Sequence, residues 1–458
     1  MKQCFGLICV CLLVACGPRP PVAVSMGAGA ANDIAVIPSP LLAFPMVAAT
    51  PPLRPNDQIA ADFMDLEFRM ESGQSLARLT RFEGPISVGL TGPVPPGAAA
   101  DLSRLVARLR SEAGIDLRAA PAGTVAAITI EFAPKAVLQR LEPSASCFVA
   151  PNVSSLAEYR ARRGSAVLDW HGLTRRERVA IFVPSDTSPQ EVRDCLHEEI
   201  AQALGPLNDL YRLPDSVFND DNFQSVLTGF DMLMLRLHYA PDLSSGMSAQ
   251  QVAARLPGLV DALNPGGQYP GGWAAPDTPR VWIEAVETAL GVRTPKAARL
   301  PAAMRMLSIA QGQGWTDNRL GFAWFALGRL QAPDDPVAAE RSYRAAAQVY
   351  AGLPDDGVHL SHALMQLSAI ALAGGRAEQA IALADQGLPL AKRGQNAALL
   401  ASLQLIKAEA LALMGRDTEA ASLRLDSLSA ARYGFGDAQA VRARAAEIAS
   451  LARRAPRG

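Results

Sequence analysis

The sequence predicts an α/β domain followed by an all-helical repeat region. Three observations carry this. Short apolar runs alternate with amphipathic stretches over the first half of the chain. A Pro/Gly-dense stretch, "NPGGQYPGGWAAPDTP" (Asn264 to Pro279), then interrupts them. Beyond it the chain is Ala/Leu-rich and repeats itself.

The chain has 458 residues, 49% of them hydrophobic, which is enough for two or three cores. Charged residues make up 19% and nearly cancel, leaving a net charge of −1. That balance excludes a basic footprint for nucleic acid and an acidic tail.

The N-terminus reads "MKQCFGLICVCLLVACGPRPP". Lys2 is a short positive region, and Phe5 to Val14 is an apolar run too short for a permanent membrane span. The run ends in Leu13-Val14-Ala15-Cys16. This resembles the bacterial lipoprotein signal, which implies cleavage before Cys16, lipidation of its thiol and a periplasm-facing membrane anchor. Each buried methylene of an acyl chain is worth about 0.8 kcal/mol, so several chains hold stably. Gly17 rather than Asp favours the outer membrane. The alternative is an ordinary secretory signal cut nearby. Residues 17–56, rich in Pro, Ala and Gly, read as a tether.

Six cysteines are present. On the lipoprotein reading, with residues 1–16 as the signal region, Cys4, Cys9 and Cys11 are cleaved off and Cys16 is retained to take lipid, so Cys147 and Cys195 remain. An even pair in an oxidising compartment is most simply a disulfide, the alternative being two buried thiols.

In the α/β domain, residues 57–263, "GPISVGLTG" (Gly84 to Gly92) alternates as a strand bounded by glycines. A helix follows with Leu102, Leu105, Val106 and Leu109 on one face. Ala126 to Phe132 is a second strand. Lys135 to Leu141 is a short helix, and a long loop holds Cys147. Ser165 to Gly172 and Arg178 to Pro184 are read as further strands. The next helix is bounded on both sides: Ser188 as N-cap, Pro189 at the first position, Glu191 closing a capping box, and Gly205 as the stop. It is placed at Pro189 to Leu204.

Residues 264–279 are the expected linker and 280–455 the helical region. "GRAEQAIALADQG" from Gly375 and "GRDTEAASLRLDS" from Gly415 place Ala380 and Ala420 alike, and Ala339, Tyr343 and Ala346 hold matching positions upstream. These residues resemble the small and aromatic positions of tetratricopeptide repeats, although that family's Trp and Pro marks are mostly absent. The resemblance implies stacked helix pairs and a groove for a protein or peptide partner. A plain helical bundle is the alternative.

The stretch "CLHEEIAQALGPLND" (Cys195 to Asp209) carries the chemical question. With Glu198 as the first position it reads Glu198-Glu199-x-x-Gln202-x-x-Gly205-x-x-Asn208-Asp209. This resembles the HExxHxxGxxH motif of the metzincin zinc proteases, in which two His a helical turn apart and a third beyond the Gly hold zinc, and the Glu is the general base. The resemblance implies Glu199 in the base position, Gly205 at the turn, Asp209 in the usual acidic place and a Met-containing turn at Met247, with Met232 and Met234 competing. The three ligand positions are all changed, to Glu198, Gln202 and Asn208. A carboxylate and two amide oxygens are a poor zinc site and a weak Ca²⁺ or Mg²⁺ site. They also suit a hydrogen-bonded network in place of metal.

His197 cannot begin the motif, because Ala201 would be its second ligand. His171 and His238 have no metal-ligand spacing. "FNDDNF" (Phe218 to Phe223) reads as a capped turn or a cation loop. The segments "RFEGPISV", "CLHEEIAQALGPLND", "DSVFNDDN" and "LTGFDMLMLRLHY" further resemble an uncharacterised family of proteobacterial lipoproteins, over about residues 57–250. The expected role is binding or scaffolding with no cofactor. The alternative is a metal-dependent peptidase or amidase using Glu199.

Overall fold

The computed structural model describes residues 44, 50–52, 54–121, 124–143, 145–270, 277–353 and 357–453. The signal, Cys16 and most of the tether lie outside the described residues, as does part of the linker. Among the described residues, no helix is long and apolar enough to cross a membrane.

The N-terminal part is a mixed α/β sheet domain. Strands β1 (Ile86–Thr91), β2 (Leu117–Ala119), β3 (Ile128–Ala133), β4 (Phe148–Pro151) and β5 (Val179–Pro184) form one sheet in the order β2-β1-β3-β5-β4. Neighbours are parallel except β4, which runs antiparallel to β5 at the edge. Every residue of β5 is buried, as expected of an inner strand covered on both faces.

Helices α1 (Asn56–Phe68), α2 (Ala98–Glu112), α3 (Lys135–Leu141), α4 (Leu156–Arg162), α5 (Pro189–Leu204), α6 (Gly229–His238), α7 (Ala249–Ala253) and α8 (Leu256–Leu263) complete this part. One core joins Ile59, Phe63, Leu105, Leu109, Ile130, Ile181, Leu196 and Ile200. A smaller cluster on the other side of the sheet holds Phe148, Tyr159 and Phe182, with ring centroids 4.9–5.5 Å apart.

Two sequence expectations are corrected. Ser165 to Gly172 is not a strand. It forms two short 3-10 turns, the second capped by Asp169, whose carboxylate accepts from the His171 N–H. The expected long loop after α3 contains the edge strand β4, which begins directly after Cys147.

The C-terminal region is all helical: α9 (Arg280–Leu290), α10 (Lys296–Gly312), α11 (Asn318–Gln331), α12 (Pro336–Tyr350), α13 (Val358–Ala373), α14 (Ala377–Arg393), α15 (Ala397–Leu413), α16 (Asp417–Asp426), α17 (Leu428–Phe435) and α18 (Ala438–Ala452). Ala339, Tyr343, Ala346, Ala380 and Ala420 are fully buried, so the small residues sit where neighbouring helices come close. The turns at Gly375 and Gly415 share a positive φ of 73°, and in each the next N–H bonds back to the helix just ended (Arg376 to Ala371, Arg416 to Leu411).

This region also packs on the chain's own α/β part. Tyr211 and Phe223 belong to its core. Phe223 lies among Phe322, Phe325, Tyr350, His359 and His362, with centroids 4.7–6.1 Å away. Asp221 meets His359 Nε2 at 3.0 Å, and Asn318 Nδ2 donates to the Tyr211 carbonyl at 2.6 Å. Gln190 on α5 bonds Asn396 and the Ala398 N–H at the start of α15.

Candidate functional site

Helix α5 follows directly from the sheet. Ser188 accepts from the Glu191 N–H while the Glu191 carboxylate reaches back to the Ser188 N–H, so two orphan donors are satisfied at the start. Val192, Cys195, Leu196, Ile200, Ala203 and Leu204 are buried. Cys195 and Cys147 form a disulfide, with Cα atoms 6.0 Å apart, which ties α5 to the start of β4.

Glu199 is fully buried. One oxygen each from Glu198 and Glu199 lies near Cys147 Sγ. Gln202, one turn on, is 1% exposed. Its amide nitrogen stands 3.5 and 3.4 Å from the two carboxylate oxygens of Asp209. Asn208 instead turns toward α1, and its Nδ2 donates to the Asp65 carbonyl at 2.9 Å. Gln202 and Asn208 thus hold different partners.

The turn after α5 has its own support, which the sequence did not reveal. Arg176 is buried, and its guanidinium donates to the carbonyls of Gln202 at 2.6 Å, Ala203 at 2.7 Å and Gly205. It also stacks 5.1 Å from the Trp170 ring centroid. Burial pushes its pKa down to about 10, so it remains a cation at neutral pH and complements the negative end of α5. Tyr239 donates its hydroxyl to the Leu204 carbonyl at 2.9 Å. Gly205 is extended rather than left-handed, at φ −157°. A glycine suits the close approach here, since a Cβ would stand only 3.1–3.2 Å from the His238 ring.

The histidines lie apart. His197 Nδ1 accepts from the Leu227 N–H at 3.0 Å. Burial, then the Arg193, Arg108 and Arg104 charges, lower its pKa far below the ordinary value, so the ring is neutral. His171 pairs with Asp169 at 2.9 Å and His238 with the buried Glu67 at 2.9 Å. Among the described residues, the groups of His, Cys, Asp and Glu close enough to share an ion contain no histidine. Met247 lies half-buried in a turn whose carbonyl accepts from the Leu79 N–H, while Met232 and Met234 are buried on α6.

A cleft of about 670 Å³ runs along β4, the edge strand. Phe148, Val149 and Pro151 line it together with Leu168 and Trp170 of the 3-10 turns and with Gln202. "FNDDNF" forms side-chain-capped turns: Asn219 Oδ1 accepts from the Asp221 N–H, and Asp221 Oδ1 from the Phe223 N–H. Asp220 lies in the stretch read as a capped turn or cation loop, whereas Glu71 was not a sequence candidate, because only the fold brings it to Asp209.

No curated protein matches this sequence. Residues 56–258, which hold the sheet and α5, match the model of a family described as "Protein of unknown function (DUF2927)", consistent with the uncharacterised family, leaving aside its lipoprotein character, read over about residues 57–250.

Proposed function

We propose that this chain is a periplasm-facing lipoprotein, anchored through Cys16, whose metzincin-like domain binds an extended peptide segment without cutting it. The observation that carries the reading is that Gln202 and Asn208, two of the three ligand positions, are engaged by other groups. Gln202 faces Asp209, Asn208 bonds the Asp65 carbonyl, and Glu198 sits with Glu199 beside the disulfide. Zinc chemistry needs three ligands on one ion with a base beside the bound water. The cleft along β4 supports a binding role. An edge strand offers unpaired backbone groups on which an extended chain can add, with alternate side chains entering the cleft. The helical region holds the loop after α5 through Tyr211, Asp221 and Phe223, and its remaining surface is where a protein partner would dock.

The test is a pair of assays on fluorescein-labelled casein peptides. Saturable binding, weakened in Val149→Pro, is expected, with no hydrolysis by the wild type or by Glu199→Gln. Hydrolysis by the wild type that disappears in Glu199→Gln would instead establish a peptidase. That second reading draws on Glu199 alone, fully buried beside Glu198.

A further inference from the structure

Gln202 lines the cleft along β4 and is 1% exposed. Its amide nitrogen lies 3.4 and 3.5 Å from the two carboxylate oxygens of Asp209. The carboxylate decides which way the amide turns, because the reverse orientation would set acceptor against acceptor. Oε1 is the other arm of the amide, buried and without a hydrogen-bond partner. Asp209 is not among the described residues that line the cleft. Gln202 therefore meets the acid through its nitrogen and has its oxygen left for the cleft. An N–H held by a carboxylate polarises the amide and makes that oxygen a better acceptor. Buried acceptors are rarely without a donor, so the missing donor belongs to whatever fills the cleft.

The edge strand says what kind of donor that is. The Asn152 N–H bonds the Arg178 carbonyl, and in the same register Ala150 stands opposite Ala180 and Phe148 opposite Phe182. Backbone groups alternate along an antiparallel pair, so Val149 turns its N–H and carbonyl away from β5. Val149 lines the cleft together with Gln202. An extended chain added at Val149 uses every second N–H on β4 and needs acceptors for the others.

We propose that Gln202 Oε1 accepts one backbone N–H of the bound peptide, at a position that β4 does not pair. The cleft then takes extended segments with a free N–H at that register and rejects a proline there. This rests on the peptide-binding reading of the cleft and adds the residue that fixes the register.

The test uses full-length protein and the tightest-binding peptide of the casein set, resynthesised with a single N-methyl group at each position in turn. Fluorescence anisotropy reads the affinities, and thermal unfolding checks that each variant is folded. One N-methyl position is expected to weaken wild-type binding by about tenfold or more, since it strands a buried acceptor. Gln202→Met should weaken the parent peptide by a similar factor and make that same position indifferent to N-methylation, the signature of a coupled pair. Should Gln202→Met not fold, the wild type with isotopically labelled glutamine carbonyls replaces it. The Gln202 resonance should then move downfield with the parent peptide and stay in place with the N-methylated one. Parent affinity unchanged in folded Gln202→Met, the same N-methyl penalties in both proteins, or an unmoved Gln202 resonance would overturn the proposal while leaving peptide binding intact. Absence of any binding that Val149→Pro weakens would remove the cleft reading itself, and this proposal with it.

Discussion

A Cβ on Gly205 would lie 3.1 Å from Cγ and Nδ1 of His238, whose ring is itself held by Glu67 at 2.9 Å. The chain can leave α5 at this point because the ring packs against bare backbone. Gly205→Ala is therefore expected to destabilise by about 1–3 kcal/mol through overpacking, with no contribution from φ. Urea unfolding reads the loss, and pairing the change with His238→Ala should recover part of it.

Arg176 holds three carbonyls at the end of α5. Arg176→Met keeps most of the apolar stem and removes the donors. The stranded carbonyls predict a loss of about 2–5 kcal/mol, at the upper end for a buried charged partner. Hydrogen exchange should show the last turn of α5 opening first. Protection there equal to the wild type would contradict the assignment.

The Cys147–Cys195 bridge closes a sequence separation of 48 residues. Chain entropy predicts about 4 kcal/mol for a loop of this size. Cys147→Ser and Cys195→Ser should lower stability by similar amounts, and the double variant by no more than either. Two alkylatable thiols in native protein would contradict the bridge.

Phe223 should be a principal contact between the two regions. Phe223→Ala is expected to cost about 3–5 kcal/mol, as for other buried aromatic truncations. Limited proteolysis should then cut the loop between α5 and α6, which the wild type protects. Proteolysis confined to the helical region would show that the contact is not shared.

Acid should loosen the same contact. His362 is buried beside Phe223, and burial, then the neighbouring His359, lower its pKa to about 3. The unfolded ring titrates near 6.5, so between those values only the unfolded chain binds the proton. Its contribution is complete above about pH 6.5 and falls by about 1.4 kcal/mol per unit as pH drops toward 3. His362→Gln should flatten the pH dependence of the urea midpoint between about pH 6.5 and 4, relative to the wild type. An identical slope would remove His362 as the cause.

Helix α5 was legible because Ser188, Pro189, Glu191 and Gly205 are local signals, and its bounds agree with them. β1, β3 and β5 were legible from alternation and apolar content. β4 was not, being four residues long and containing a proline. Ser165 to Gly172 misled because Val167, Leu168 and Trp170 space like strand residues, whereas Asp169 caps a turn and Trp170 lies under Arg176. The spacing of Glu198, Gln202 and Asn208 located a region but not its contacts. Those depend on Asp65, Glu71 and Asp220, which approach only through the fold. The contact of Phe223 with the helical region is likewise long-range and leaves no periodic trace.

The central claim is that α5 no longer supports zinc hydrolysis. Its most direct test is elemental analysis of full-length protein purified without chelator. The account predicts zinc far below one atom per chain, unchanged in Glu198→Gln and Gln202→Leu. One tightly held zinc per chain, lost in either variant, would contradict it.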